Sequence, residues 1–220
     1  TGVRFLRLRK GIWAGAEGQI YDEWDDAVHV VEPFPIPAEW RRFRSIDFGY
    51  TNPFVCQWWA ADPDGRAFKY RELYGPGRLV SDWAGEIGRR SEGERVEWTV
   101  ADHDAEDRAT LEAAGIRTIP AHKAVQPGIE AVQKRLKRAG DGKPRLFIVK
   151  GCTVERDARL IEAKKPASTL EEIGGYVWAP PLPNRAPKEE PLKVNDHGCD
   201  AMRYFVAELD GLGTYSAGAF

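Results

Sequence analysis

Three strand-like stretches in direct succession limit the folds open to this 220-residue chain more than any other feature. They cover 43–50, 54–61 and 66–74, and a strong turn sequence, Asp62-Pro63-Asp64-Gly65, joins the last two. Because strands joined by so few residues pair with their neighbours, the pattern predicts an antiparallel meander.

After the meander, the apolar periodicity alternates between helix and strand. Leu79, Trp83 and Ile87 have the four-residue spacing of an amphipathic helix over 79–92, and a strand over 95–102 follows. The later predicted elements are a helix at about 105–114, a strand at 116–119, a helix at about 126–138, a strand at 145–149, a helix at 153–163 and a last helix at about 196–209. We therefore expect an α/β fold, in which a mixed central sheet is flanked by helices.

Two segments lack this regular periodicity. Residues 1–40 end in a run of spaced prolines and predict a strap or linker, whereas 164–194 hold six prolines and several lysines and predict a long flap or hairpin. We expect one domain over 41–220, preceded by the strap.

The composition excludes several broad classes of protein. The formal net charge of −2 excludes a globally basic nucleic-acid binder but allows a local basic face. The three cysteines form no Cys-x-x-Cys pair, so neither a disulfide framework nor a structural zinc site is supported, and we expect a reducing cytosol. No apolar stretch approaches the roughly 20 residues that cross a bilayer, so we expect no contact with a membrane.

Acidic residues stand at the ends of predicted strands and at the start of the last predicted helix. Asp47 and Asp102 follow apolar strand-like runs, while Asp196 and Asp200 are four residues apart and share one face of a helix. Carboxylates in such places need a cation or hydrogen bonds to compensate them, and hard carboxylate oxygens suit Mg²⁺ or Mn²⁺. The pattern predicts a divalent-metal site.

Each acid except one has a plainer interpretation that stays open. Asp47 could initiate a turn, and Asp102 could cap the following helix, although Asp104 is better placed for that. Asp196 could be a favourable charge at the start of a helix, but Asp200 has no such alternative and is expected to need a metal.

Other polar residues are candidates to bind a metal or DNA. His197 lies three residues before Asp200 and could touch a metal or a water. On the predicted 126–138 helix, Lys134 and Arg138 could line a track of backbone phosphates, with a solvated helix face as the alternative. In the flap, Lys188 and Lys193 lead into the acidic helix and must lie near the site.

Several motifs carry a family resemblance. They are Gly-Gln-Ile-Tyr-Asp-Glu-Trp at 18–24, Ser-Ile-Asp-Phe-Gly-Tyr at 45–50, Val-Ala-Asp at 100–102, Gly-Tyr-Val-Trp at 175–178 and Asn-Asp-His-Gly-Cys-Asp-Ala-Met-Arg-Tyr at 195–204. With them the chain resembles the C-terminal nuclease domain of the large terminase subunit of tailed bacteriophages, which has an RNase H-like fold. The resemblance implies that Asp47, Asp102 and Asp200 bind metal, with Asp196 and His197 as secondary ligands. It leaves open whether Asp104 shares that role.

The resemblance also implies a function and partners. It implies an endonuclease that uses two Mg²⁺ or Mn²⁺ ions to cut concatemeric double-stranded DNA during viral packaging, with little sequence specificity. Its partners would be an N-terminal ATPase domain of the same full-length protein, the portal and the small terminase subunit, in the cytoplasm of an infected bacterium. No Gly-x-x-x-x-Gly-Lys-[Ser/Thr] loop occurs here, so the chain would be the nuclease part alone.

Three other functions remain possible. A resolvase or transposase of the same fold would prefer branched DNA, and a non-catalytic DNA-binding or packaging module would not cut at all. An actin-like ATPase would need a second glycine-rich phosphate segment, which the sequence lacks.

Overall fold

A single mixed sheet organises the computed structural model, which describes residues 18–122, 124–180 and 190–212. Its strands are β1 (Val30–Val31), β2 (Arg41–Asp47), β3 (Phe54–Ala61), β4 (Ala67–Gly75), β5 (Val96–Ala101), β6 (Ile119–Pro120) and β7 (Leu146–Val149). The spatial order of the strands is β1-β7-β4-β3-β2-β5-β6.

The predicted meander forms the centre of this sheet. β2, β3 and β4 pair antiparallel, whereas β5 joins β2, and β7 joins β4, in parallel. The turn between β3 and β4 closes because the Asp62 carboxylate accepts bonds from the backbone N–H groups of Asp64 and Arg66, and Gly65 takes a φ of +76°. The mixed sheet predicted from the sequence is confirmed.

Seven helices are present in the described part of the chain. They are α1 (Asp26–His29), α2 (Val80–Arg90), α3 (Ala105–Ala113), α4 (Val125–Leu136), α5 (Ala158–Glu162), α6 (Thr169–Ile173) and α7 (His197–Leu209). None of these helices is long and apolar enough to cross a membrane.

Helices cover both faces of the sheet, each over its own apolar core. On one face, α4 and α7 pack against Phe43 and Trp59, and the ring of Trp59 stacks on Phe205 of α7 with centroids 4.3 Å apart. On the other face, α2 and α3 pack against Ile46 and Trp58. Because alternate residues of β2 point to opposite faces, one strand serves both cores.

The described part of the predicted strap packs against the sheet. Ile20 and Tyr21 are fully buried in the core beneath α4 and α7, and β1 pairs in parallel with β7. Segments of two residues are too short to show the apolar periodicity of a helix or a strand, so the sequence did not predict these contacts. A domain boundary at residue 40 stays a prediction, and residues 1–17 lie outside the described part.

The predicted flap also begins with packed structure. Thr169 and Ile173 of α6 are buried, and residues 181–189 lie outside the described part. The helix expected over 153–163 is shorter than predicted. The Asp157 carboxylate caps the backbone N–H groups of the following turn, while Val154 donates its N–H to a carbonyl of β4. Thr153 and Val154 therefore pair alongside β4 instead of forming part of a helix.

Candidate metal centre

Two of the predicted acids meet at one edge of the sheet because their strands are parallel neighbours. Asp47 ends β2 and Asp102 directly follows β5, with Ile46 in register with Ala101. The backbone N–H of Asp102 donates to the carbonyl of Ile46 at 3.0 Å, which continues the pairing to the strand ends. The two carboxylates thus stand side by side at the carboxyl end of the sheet, where α/β proteins bind ligands.

The helix α7 brings Asp200 to the same place. The Tyr204 hydroxyl, one turn after Asp200, donates to Oδ1 of Asp47 at 3.3 Å. Burial raises the pKa of Tyr204, and the negative charges of Asp47, Asp200 and Asp102 raise it further, because all three acids surround this hydroxyl. They line a single cleft of about 630 Å³.

Asp47 lies deepest among the three acids. It is 6% exposed, and its Oδ2 is 2.9 Å from Nδ1 of His197. The pKa of Asp47 is raised to about 6, chiefly by burial. The hydrogen bond to His197 acts in the opposite direction, and the negative charge of Asp200 acts in the same direction as burial. Burial disfavours the charged His197 ring, but the bond to Asp47, together with the charges of Asp47, Asp196 and Asp200, raises the pKa of His197.

Cations compensate Asp200, which corrects the expectation that only a metal could do so. Lys193 Nζ lies 3.0 Å from Asp200 Oδ2 and 3.0 Å from Asp196 Oδ2. Arg203, which is 3% exposed, donates from Nη2 to Asp200 Oδ1 at 3.1 Å. The sequence interpretation missed Arg203 although it lies three residues after Asp200, a spacing that places both on one face of the helix.

Asp196 occupies the N-cap position of α7, as its place in the sequence suggested, but its side chain makes no capping hydrogen bond. It is 6% exposed and lines the cleft. Its Oδ2 is buried and pairs with Nζ of Lys193 at 3.0 Å, without a well-aligned hydrogen bond among the described residues. The carboxylate thus faces the cleft with spare ligand capacity.

Asp102 and Asp104 have separate tasks. The carboxylate of Asp104 accepts hydrogen bonds from the N–H groups of Glu106 and Asp107, both at 3.0 Å, and so caps α3. Asp102 lines the cleft and has His103 Nδ1 2.8 Å from its Oδ1. Asp104 is therefore the N-cap of α3, and the Asp102 carboxylate is not needed for capping and lines the cleft.

The chemistry of these side chains, rather than their present arrangement, suits a hard divalent cation. As the side chains stand, no group of three or more His, Cys, Asp and Glu residues within 18–122, 124–180 and 190–212 converges on one point, and cations contact Asp200 instead. Burial raises the pKa of Asp47 to about 6, so a cation beside this carboxylate would favour its charged form. Oxygen ligands of this kind suit Mg²⁺ or Mn²⁺.

The predicted basic residues lie at different distances from the cleft. Lys193 lines it, together with Lys165, which the sequence interpretation did not single out. Val125 at the start of α4 also lines the cleft, so Lys134 is about 13 Å away along the helix axis. Arg138 donates to the carbonyl of Gly142 beyond the end of α4. Lys188 lies outside the described residues.

Comparison with family models gives no match, and neither does comparison with curated proteins. Solved structures do match. The large terminase of a thermophilic bacteriophage aligns with a TM-score of 0.68 and 26% identity over 94% of this chain. The P22 large terminase nuclease domain aligns with a TM-score of 0.63 and 17% identity, covering 90% of this chain and 94% of its own. The chain has the large-terminase nuclease fold.

This large-terminase nuclease fold agrees with the α/β class predicted from the sequence, a mixed sheet flanked by helices. The large terminase nuclease of another thermophilic phage, G20c, shares it, with a TM-score of 0.56 and 14% identity over 86% of this chain and 97% of its own. The chain spans about half the length of the first of these three proteins, of which it covers 49%. It corresponds to the whole of the nuclease domains but to only part of that longer large terminase.

Proposed function

We propose that this chain is the metal-dependent endonuclease domain of a viral DNA-packaging terminase, which cuts concatemeric double-stranded DNA with little sequence specificity. One observation carries the proposal. Asp47, Asp102 and Asp200 come from three separate elements of a large-terminase nuclease fold and meet in one cleft. Burial raises the pKa of Asp47 to about 6, so the charged form of this carboxylate costs stability unless a cation in the cleft compensates it.

In this proposal Asp47, Asp102 and Asp200 hold two divalent ions, and Asp196 and His197 are secondary ligands. When bound, the ions supply an activated water and stabilise the leaving oxygen of the phosphodiester. Asp47 is the best candidate to contact both ions, because its carboxylate lies close enough to both Asp102 and Asp200 to feel their charges.

In the metal-free site, His197 and Lys193 contact the proposed metal ligands. Nδ1 of His197 lies 2.9 Å from Oδ2 of Asp47, a contact that fixes the orientation of this carboxylate in the cleft. Lys193 neutralises Asp196 and Asp200, and its flexible side chain, 62% exposed, can turn from them towards a phosphate.

The DNA contacts in this proposal are made by Lys193, Lys188, Lys134 and Arg138. Such contacts to backbone phosphates carry no base information, which agrees with cutting at unrelated sequences. The ATPase domain of the same full-length protein, the portal and the small terminase subunit are the proposed protein partners, in the cytoplasm of the infected bacterium.

Cleavage of supercoiled plasmid by the purified chain tests this function. We expect nicking and linearisation with Mn²⁺ or Mg²⁺, none with a chelator, and none for Asp47→Asn. Substitution of the exposed Glu162 by Gln is the matched control and should leave cleavage unchanged. An intact plasmid with the chain alone, and again with an ATPase domain joined to it, would overturn the proposal. Faster cutting of branched than of linear duplexes would instead favour a resolvase.

A further inference from the structure

The first turn of α7, which carries His197 and Asp200, is capped from another element. The residue at its N-cap, Asp196, turns its carboxylate into the cleft and makes no capping bond. The backbone N–H of Cys199 donates instead to Oε2 of Glu172, at the end of α6, at 2.9 Å. A helix start normally obtains this bond from its own N-cap residue.

A second buried side chain holds the same turn from the sheet. Gln57 of β3 donates from Nε2 to the carbonyl of Gly198 at 2.8 Å and to Oγ1 of Thr169 at 2.7 Å. Gly198 has no side chain at the point where α6 and α7 meet, and a Cβ there would collide with Thr169. The first turn of α7 is thus fixed between β3 and α6.

The capping carboxylate is itself anchored to the sheet. The other oxygen of Glu172 accepts a bond from the Tyr74 hydroxyl of β4. The neighbouring Glu72 accepts from Lys69 at 2.6 Å and from Thr153 at 2.8 Å, and also binds Thr169. Lys69, Glu72 and Glu172 are at most 1% exposed. Fully satisfied buried networks of this kind rigidify the elements that they join.

We propose that Glu172 is a positioning residue of the metal centre: it caps α7 in place of Asp196 and so leaves the Asp196 carboxylate to the cleft and fixes Asp200 opposite Asp47. This inference rests on the proposed function. A capping bond alone would be made more simply by Asp196, and burying an extra carboxyl group in the core costs free energy. The arrangement is explained if the cleft needs Asp196 and needs α7 held in one place.

The binding of Mn²⁺ by the purified chain without DNA, measured by calorimetry, tests the inference. Glu172→Leu removes the acceptor and should weaken Mn²⁺ binding by about tenfold or more, as the loss of groups that orient metal ligands commonly does. Burial raises the pKa of Glu172 well above its usual range, so the neutral Glu172→Gln keeps both shape and acceptor and should stay within about threefold of the wild type. Glu162→Gln is the exposed control.

Thermal melting separates positioning from stability. The inference is overturned if Glu172→Leu is folded at the assay temperature and binds Mn²⁺ as the wild type does, or if Glu172→Gln is as impaired as Glu172→Leu. Should Glu172→Leu fail to fold, Tyr74→Phe decides, because it removes only the hydroxyl that orients Glu172. It should weaken Mn²⁺ binding severalfold, and unchanged binding would reject the inference. If the wild type itself neither binds Mn²⁺ nor cuts plasmid, the proposed function fails rather than the positioning role.

Discussion

At the scale of single residues, Asp47 sets the pH dependence of the site. Its pKa is raised to about 6, so the carboxylate that we propose as a metal ligand is largely protonated in mildly acidic solution. We expect Mn²⁺ affinity and plasmid cleavage to fall as the pH drops through about 6. Initial rates between pH 5 and 8 at constant ionic strength measure this. A rate that stays flat down to pH 5 would contradict the assignment of Asp47.

The same shift has a stability consequence of known sign. The folded Asp47 binds its proton more tightly than the usual pKa of 3.8 allows, so folding takes up a proton between about pH 4 and 6. The metal-free domain should therefore lose stability as the pH rises through that window, by on the order of 3 kcal/mol for this residue. Denaturant unfolding at several pH values should show that the free energy of unfolding depends less steeply on pH in Asp47→Asn than in the wild type.

The two acids of α7 should differ when each is changed to asparagine. Asp200→Asn should abolish nearly all cleavage, because Asp200 faces Asp47 and Asp102, whereas Asp196→Asn should retain measurable cleavage. Asp200→Asn should also lower the melting temperature of the metal-free domain more, since it weakens the buried pair with Arg203. Nicking rates and melting curves of the two variants are the measurements. The assignment fails if Asp196→Asn is inactive while Asp200→Asn still cuts.

The sequence indicated which acids belong together but not what neutralises them. Asp47 and Asp102 could be placed at strand ends from the apolar pattern, and Asp200 from the helical spacing. The ion pairs of Asp200 with Arg203 and Lys193 could not be predicted from the sequence, because the direction of a long side chain depends on the packing around it. The loss of stability expected for Asp200→Asn therefore follows from these contacts and not from the sequence.

At the scale of secondary-structure elements, α4 is where the proposed DNA contacts outside the cleft can be tested. Its first residue, Val125, lines the cleft, and Lys134 and Arg138 lie at its far end. Joint substitution of Lys134 and Arg138 by Ala should weaken binding of unrelated duplexes to the same degree and reduce the slope of log affinity against log salt by about 2. Fluorescence anisotropy at several salt concentrations measures this.

The matched control for that test lies on the other face of the sheet. Arg90 of α2 is an exposed arginine paired with Glu86, and Arg90→Ala should leave the slope unchanged. An equal loss of affinity for Arg90→Ala, or no loss for the variant of α4, would show that DNA does not follow α4.

Elements with sustained periodicity were predictable, and short ones were not. The strand Phe54–Ala61 has the predicted bounds, and α2, α3, α4 and α7 lie within a few residues of theirs. The helix α6 and the strand β1 were missed, because five- and two-residue elements owe their stability to tertiary contacts rather than to a local pattern. The cap supplied by Glu172 was invisible for the same reason.

At the scale of the whole molecule, topology explains why the acids converge. Parallel pairing of β2 with β5 brings Asp47 beside Asp102, and packing of α7 on the face of β2 brings Asp200 to both. Alternation of helices and strands in the sequence predicted the class of fold, but not the spatial order of the strands. That order depends on which apolar faces fit together, which the linear pattern does not encode.

Anomalous diffraction from a crystal of the chain soaked in Mn²⁺ tests the central claim most directly, because it locates the metal without reference to activity. We predict Mn²⁺ peaks in the cleft within about 2.0–2.4 Å of carboxylate oxygens of Asp47, Asp102 and Asp200, with Lys193 moved away from Asp200. Crystals of Asp47→Asn should lose these peaks. A cleft without anomalous density, at a Mn²⁺ concentration that supports plasmid cleavage, would contradict the claim.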